Sequence, residues 1–144
     1  MVGWTAIPVV RMPLPERVIE FLQKPNLAVL GTVSPAGRPQ VTPVWFLFED
    51  GHILVNTSKG RVKLRNVETN PAVTVTVVDR DDPYRYVQIQ GTVVKLDRDH
   101  GARDIDRLSM RYRGRTYTYP PTDAPENRVS LLIKPIRSQT MGFR

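Results

Sequence analysis

Ile53-Leu54-Val55-Asn56-Thr57-Ser58-Lys59-Gly60-Arg61-Val62-Lys63 is the stretch around which the chain is organised. Its apolar opening reads as a strand, and a helix is expected from about Arg61 to Glu68, closed by Asn70-Pro71. A strand that stops in small hydroxyl residues and restarts as a helix leaves several backbone N–H groups without partners. The positive end of the helix dipole adds to their preference for an anion. Lys59, Arg61 and Lys63 bring three cations to the same turn, and Thr57 and Ser58 add hydroxyl donors. Arg matches phosphate oxygens with a planar fork and Lys with a point charge, so the segment reads as a phosphate clamp. Taken alone, the same octapeptide from Asn56 could equally be a solvated basic turn with an ordinary helix start.

The flanking sequence is read as short antiparallel strands. Upstream, Glu49-Asp50-Gly51 makes a hairpin turn, preceded by a strand from Arg38 to Phe48. Pro39 and Pro43 cannot donate to a ladder, so that strand belongs at an edge or carries a bulge. Before it come a helix with Leu14, Val18, Phe21 and Leu22 on one face, ended by Lys24-Pro25, and a strand Leu27–Val33. Ser34-Pro35-Ala36-Gly37 turns the chain between the two strands. Downstream, Ala72–Asp79 alternates Val73, Val75 and Val77 with Thr74 and Thr76, and Tyr84–Leu96 alternates Val87 and Ile89 with Tyr86, Gln88 and Gln90. A charged helix from Asp97 to about Arg113 has Ile105 and Leu108 facing inward. A loop rich in Pro and Tyr leads to a last strand, Arg128–Gly142, interrupted at Pro135. Six strands in short hairpins with three helices predict a mainly β fold, a six-stranded antiparallel split β-barrel. All 144 residues form one domain, with residues 1–12 as a flexible N-terminal arm.

Composition narrows the function classes. Cysteine is absent and there are two histidines, so a thiolate or His-rich metal site is not expected. There is no signal pattern or bilayer-length apolar run, which leads to the expectation of a soluble, cytoplasmic protein. The net charge of +7 is carried mostly by Arg and suits a polyanionic small molecule or nucleic acid. Tyr112, Tyr117 and Tyr119 with Arg111, Arg113 and Arg115 could form a base-stacking surface, but without a nucleic-acid motif they read as a substrate-entrance loop. His52, beside Gly51, reads as a hairpin residue. Neither a Ser/His/Asp set nor a carboxylate pair has a spacing that supports hydrolysis, and no catalytic residue is assigned. Trp45 and Phe46 are adjacent in a strand, so one faces the core and the other is available to a ligand.

The order of these segments resembles a known family. Gly31-Thr32-Val33, Gly37-Arg38-Pro39-Gln40-Val41-Thr42-Pro43-Val44-Trp45-Phe46, Asn56–Lys63, Asn70-Pro71, Gln90-Gly91-Thr92-Val93 and Ile133-Lys134-Pro135 are similar in order and spacing to the pyridoxamine 5′-phosphate oxidase-like split β-barrel proteins. The Gly-Arg-Pro-Gln strand and the Ser-Lys-Gly-Arg-x-Lys clamp look closest to the actinobacterial branch that uses the deazaflavin coenzyme F420. The Arg-rich, Pro-rich composition agrees with such a source. The resemblance implies a homodimer with the cofactor in a groove between subunits, and the unpaired backbone of a Pro-bearing edge strand gives a partner something to cover. It places Val41, Thr42, Pro43, Val44 and Trp45 under the cofactor ring, and Asn56, Thr57 and Ser58 at its tail. Lys59, Arg61 and Lys63 then fall at the phosphate.

The Arg that precedes the phosphate Lys in the oxidase is Val62 here, with the charge moved to Arg61. Tyr86 falls where the oxidase has a Gln contributed by the partner subunit, and Met141 where it has a Trp near the ring. These departures weigh against FMN-oxidase chemistry. The expected function is hydride transfer between coenzyme F420 and a small unsaturated substrate, with no nucleic-acid or membrane partner. The alternatives are an FMN-dependent oxidase or reductase on the same scaffold, and a non-catalytic flavin- or deazaflavin-binding protein.

Overall fold

The computed structural model describes residues 9–11 and 14–143. Its elements are β1 (Val9–Arg11), α1 (Glu16–Leu22), β2 (Leu27–Val33), β3 (Pro39–Val44), β4 (Leu47–Glu49), β5 (His52–Ser58), α2 (Val62–Thr69), β6 (Ala72–Val78), β7 (Tyr86–Asp97), α3 (Gly101–Arg113) and β8 (Arg128–Met141), with a 3-10 turn at Pro125–Asn127. One antiparallel sheet runs β3-β2-β6-β7-β8-β5-β4. Its two edge strands, β3 and β4, are joined by Trp45 and Phe46 alone. Three Cα steps span at most about 11 Å, so the sheet must curl until its edges meet. This is the split barrel the sequence predicts.

Two strands beyond the expected six come from contacts distant in sequence. The single strand expected over Arg38–Phe48 is two, on opposite edges of the sheet, because the chain leaves the ladder at Trp45-Phe46. There Arg111 of α3 donates Nη1–H to the Phe46 carbonyl, taking the place of a strand neighbour. The other strand is β1, within the segment expected to be an arm. It pairs with Arg137–Gln139 of β8, beyond the reach of β5, which pairs with Arg128–Ile133. The rest of that arm lies outside the described residues.

Pro39 and Pro43 do sit on an edge, since β3 pairs with β2 alone. Pro135 bulges β8 rather than interrupting it: Gln90 opposes Arg137 and Gly91 opposes Pro135, leaving Ile136 as the extra residue. α3 begins four residues later than expected because Asp97 still pairs with Ser130 as the last residue of β7.

The barrel interior is filled by the alternating residues the pattern singles out. Leu30, Val75, Val77, Val87, Ile89, Leu131 and Ile133 are buried, with Val18, Phe21 and Leu22 of α1 and Leu64 and Val67 of α2 packed among them. Leu54 of β5 and Ile105 and Leu108 of α3 are also buried but belong to no part of that interior cluster. α3 therefore covers the outer face of β5 and β8, which puts a second packed layer outside the barrel wall. No helix among the described residues is long and apolar enough to cross a membrane.

Candidate functional site

The outer layer does not close completely. A cavity of about 570 Å³ opens between α3, the outward residues of β2 and β3, and the start of α2. That volume lies within the range of about 300–1,000 Å³ usual for small-molecule sites. Leu27, Val29 and Pro43 form one side, Ile105 and Leu108 the other. Trp45 stands at the seam: its ring stacks on Tyr112 at 5.7 Å with a 12° interplanar angle, and meets Tyr117 edge-on at 6.4 Å. The adjacent Phe46 is fully buried, so Phe46 is the core residue of the pair and Trp45 the one open to a ligand. The Tyr112 hydroxyl donates to the Asn26 carbonyl at 2.8 Å, and burial pushes its pKa up. Its proton is thus committed to the fold.

Cations share the cavity with this aromatic wall. Arg61, Lys63, Arg113 and Arg128 all line the cavity. Among the described residues Arg61, Lys63 and Arg113 make no ion pair, whereas Arg128 pairs with Asp123 at 2.8 Å. Burial first, then the charges of Arg61 and Arg128, push the Lys63 ammonium below its ordinary pKa. Arg113 instead lies over the Trp45 ring, 5.0 Å from its centroid. Unpaired, mutually repelling cations beside an apolar wall are relieved by an anion carried on a flat apolar body.

Beneath these groups runs a connected polar floor. Asn56 donates both amide hydrogens, to the Gly101 carbonyl at 3.0 Å and to Ser130 Oγ at 3.1 Å, and accepts from Arg128 Nε at 2.8 Å. Ser130 Oγ donates to Asp104 Oδ2 at 2.6 Å, and Asp104 also takes Arg103 and Arg107, each at 3.1 Å. Arg107 reaches on to Glu49. Gly101 permits this closeness: a Cβ there would stand 2.0 Å from the Arg128 carbonyl oxygen.

Of the residues singled out by sequence, the structure brings Pro43, Val44, Trp45, Asn56, Arg61 and Lys63 to this one cavity. Thr57 is buried, Ser58 is buried beside Asp123, and Lys59 is exposed; none of the three lines the cavity. Val41 is exposed on a separate outer groove with Gly31, Pro39 and Ile136. Thr42 is half-buried, and its Oγ1 has no hydrogen-bond partner. Tyr86 and Met141 face each other in register across β7 and β8, away from the cavity of their own chain. Tyr112 and Arg113 at the end of α3, and Tyr117 just beyond it, also line the cavity. Sequence reasoning missed Arg128. Its one signal is an Arg opening the mostly apolar strand Val129-Ser130-Leu131-Leu132-Ile133, five residues after Asp123.

Comparison with known proteins agrees with this architecture. The family model for pyridoxamine 5′-phosphate oxidase matches residues 14–142. A solved F420 reductase is 34% identical, with a TM-score of 0.77 over 87% of this chain and 98% of its own. A putative pyridoxamine 5′-phosphate oxidase from Listeria innocua, 21% identical over 89% of this chain and 98% of its own, shares the fold with a TM-score of 0.68. So does a conserved hypothetical protein from Mycobacterium tuberculosis, 22% identical over 91% of this chain and 86% of its own, at 0.68. With the curled sheet, the segment order and the family match in agreement, the chain belongs to the pyridoxamine 5′-phosphate oxidase-like family of split β-barrels.

Proposed function

We propose that the cavity binds coenzyme F420, with FMN as the alternative, and that the protein is an oxidoreductase acting on a small unsaturated substrate. The observation that carries this reading is the pairing of ion-pair-free Arg61 and Lys63 with the Trp45–Tyr112–Tyr117 wall in one cavity. The residues present fit a ring-bearing phosphate ester: an apolar and aromatic lining together with cations. The 34% identical F420 reductase supports the choice of the deazaflavin. When bound, such a coenzyme supplies or takes up a hydride at its ring. The protein's part is orientation, charge neutralisation by Arg61 and Lys63, and exclusion of water by Leu27, Ile105 and Leu108. Hydride addition to an unsaturated bond also takes up a proton, and with the Tyr112 hydroxyl hydrogen-bonded to the Asn26 carbonyl that proton is assigned to solvent.

A homodimer belongs to the same reading. Val41 and Ile136 leave apolar surface on the outer groove of the sheet, and the reading assigns Tyr86 and Met141, paired across β7 and β8, to the cavity of a second copy. Cytoplasmic residence goes with it.

Coenzyme F420 carries its phosphate within a phospholactyl–polyglutamate tail, so its anionic charge is spread, whereas FMN ends in one phosphate. Exposed cation–carboxylate contacts are worth on the order of 0–1 kcal/mol each and are screened by salt. Calorimetric titration should therefore give tighter F420 than FMN binding at low salt, with a steeper loss for F420 as salt rises. Equal slopes, or tighter FMN binding at both salts, would reverse the order of the two cofactors. Stopped-flow oxidation of protein-bound reduced F420 by quinones and enones separates an enzyme from a carrier. An acceptor-dependent rate marks the enzyme, and none across the panel marks the carrier.

A further inference from the structure

Arg128 is set apart from the other cations of the cavity. It opens β8 and is only 5% exposed, yet it lines the cavity. Nε donates to Asn56 Oδ1 and Nη1 to Asp123 Oδ2, each at 2.8 Å, and the guanidinium lies over the Tyr117 ring, 5.2 Å from its centroid. Two nitrogens and one face are thereby fixed. Nη2 donates to no protein atom among the described residues, and it is not one of the buried polar atoms sealed away without a partner. A buried guanidinium that lines a cavity and keeps one nitrogen without a protein partner among the described residues is a donor waiting for an acceptor.

We propose that Arg128 is a third anion-binding residue of this cavity. It seats a phosphate oxygen on Nη2 beside Lys63 and Arg61, with Asp123 and Asn56 as the positioning residues that aim it. The proposal rests on the reading of the cavity as a coenzyme site. Asp123 has a second effect besides aim. Burial alone would raise its carboxyl, but the Arg128 hydrogen bond and charge and the Ala124 N–H hold it below the ordinary carboxylate range, so it stays an anion. It offsets the charge of Arg128 and leaves Arg61, Lys63 and Arg113 as the cavity's ion-pair-free cations among the described residues. A guanidinium already held on two sides loses little further freedom on binding. Asn56 extends the grip through Ser130 and Asp104 to α3, so the seat is tied to the outer helix as well as to the sheet.

The test compares coenzyme F420 with the same deazaflavin chromophore lacking its phosphorylated tail, both titrated by fluorescence. In the double variant Arg128→Gln with Asp123→Asn, which removes cation and anion together, F420 affinity should fall at least tenfold. Affinity for the tail-free chromophore should change less than twofold. Inorganic phosphate should compete with F420 for the unaltered protein at lower concentration than for the variant. Should the double variant fail to fold, Arg128→Lys keeps the charge opposite Asp123 but loses the fork, and the same tail-selective weakening is expected at smaller size. Equal weakening of both probes would make Arg128 a structural wall, and no change in either would remove it from the site; both overturn the proposal. Lys63→Ala run in parallel tells the two failures apart. Tail-selective weakening there with Arg128 silent sinks this proposal alone. An unaltered protein that holds both probes equally sinks the coenzyme reading with it.

Discussion

The half-buried guanidinium of Arg111 has no carboxylate partner among the described residues. Nη1 donates to the Phe46 carbonyl and Nη2 to the Leu22 carbonyl at 3.2 Å, while the Phe46 ring lies 4.8 Å below. Burial pushes its pKa down from the ordinary arginine value. One side chain thus ties the end of α1 to the point where β3 gives way to β4. Hydrogen bonds to charged groups contribute about 1.5–3 kcal/mol each, but desolvating the guanidinium offsets part of that. Arg111→Met should therefore cost roughly 2 kcal/mol of unfolding free energy in urea. Two positions on, Arg113 is exposed with only the Trp45 ring beneath it, so Arg113→Met should cost less than about 1 kcal/mol. Equal costs for the two variants would show that the carbonyl staple is not what holds the split.

At the scale of elements, the turn between β5 and α2 carries a titratable charge whose sign is set by its surroundings. Gly60 makes the turn possible with φ +93, a left-handed value that a Cβ would strain. It delivers Arg61 as the cap of α2 and Lys63 into the cavity. Because burial and the neighbouring arginines lower the Lys63 pKa, the unfolded chain binds more protons than the folded one between that depressed value and the ordinary lysine range. Stability contributed by this site therefore rises with pH through that window. Measured against Lys63→Gln as the reference, the unaltered protein should gain relative stability as pH rises from neutrality toward that range. Added inorganic phosphate should flatten the gain by restoring the ammonium's pKa. A relative stability that fell with pH would contradict the burial of this lysine.

The place of this turn and of the helix start was legible in the sequence from an apolar run, hydroxyl residues and a glycine. The expected free N–H groups were not borne out: β5 runs on to Ser58, with Asn56–Ser58 paired to Arg128–Ser130, and Lys59 N–H donates to the Asn127 carbonyl. The alternating strands were legible from local pattern as well, down to Val73, Val75 and Val77 as interior residues. The break at Trp45-Phe46 was not, since its cause is a guanidinium 65 residues later in the chain. Arg128 escaped notice in the same way. Its burial depends on Asn56, 72 positions earlier, and a lone Arg at a strand start reads as an ordinary surface residue.

For the whole molecule, the curl that closes the barrel leaves one face of the sheet uncovered. α3 shields the outer side of β5 and β8, but Val41 at 64% exposure and Ile136 at 47% border a shallow groove across β2, β3, β6 and β7. Gly31, without a side chain, leaves that groove open, and the edge strand β3 beside it bears Pro39 and Pro43. Apolar surface bordered by an edge that already resists strand addition suits side-chain packing against a second copy better than sheet extension. In the proposed dimer, Val41 packs against the partner, and Tyr86 and Met141 reach its cavity. Val41→Asp would put a charge on that surface without touching the interior cluster, to which Val41 does not belong. Sedimentation velocity should show the unaltered protein as a dimer and Val41→Asp shifted toward monomer, with near-unchanged far-UV circular dichroism. Coenzyme F420 affinity should drop along with the dimer, and Tyr86→Ala should lower affinity while leaving the dimer intact. A Val41→Asp protein that stays dimeric would place the interface elsewhere. A monomer that still binds F420 at full affinity would mean that one chain, with the cavity between α3 and the barrel wall, is a complete site.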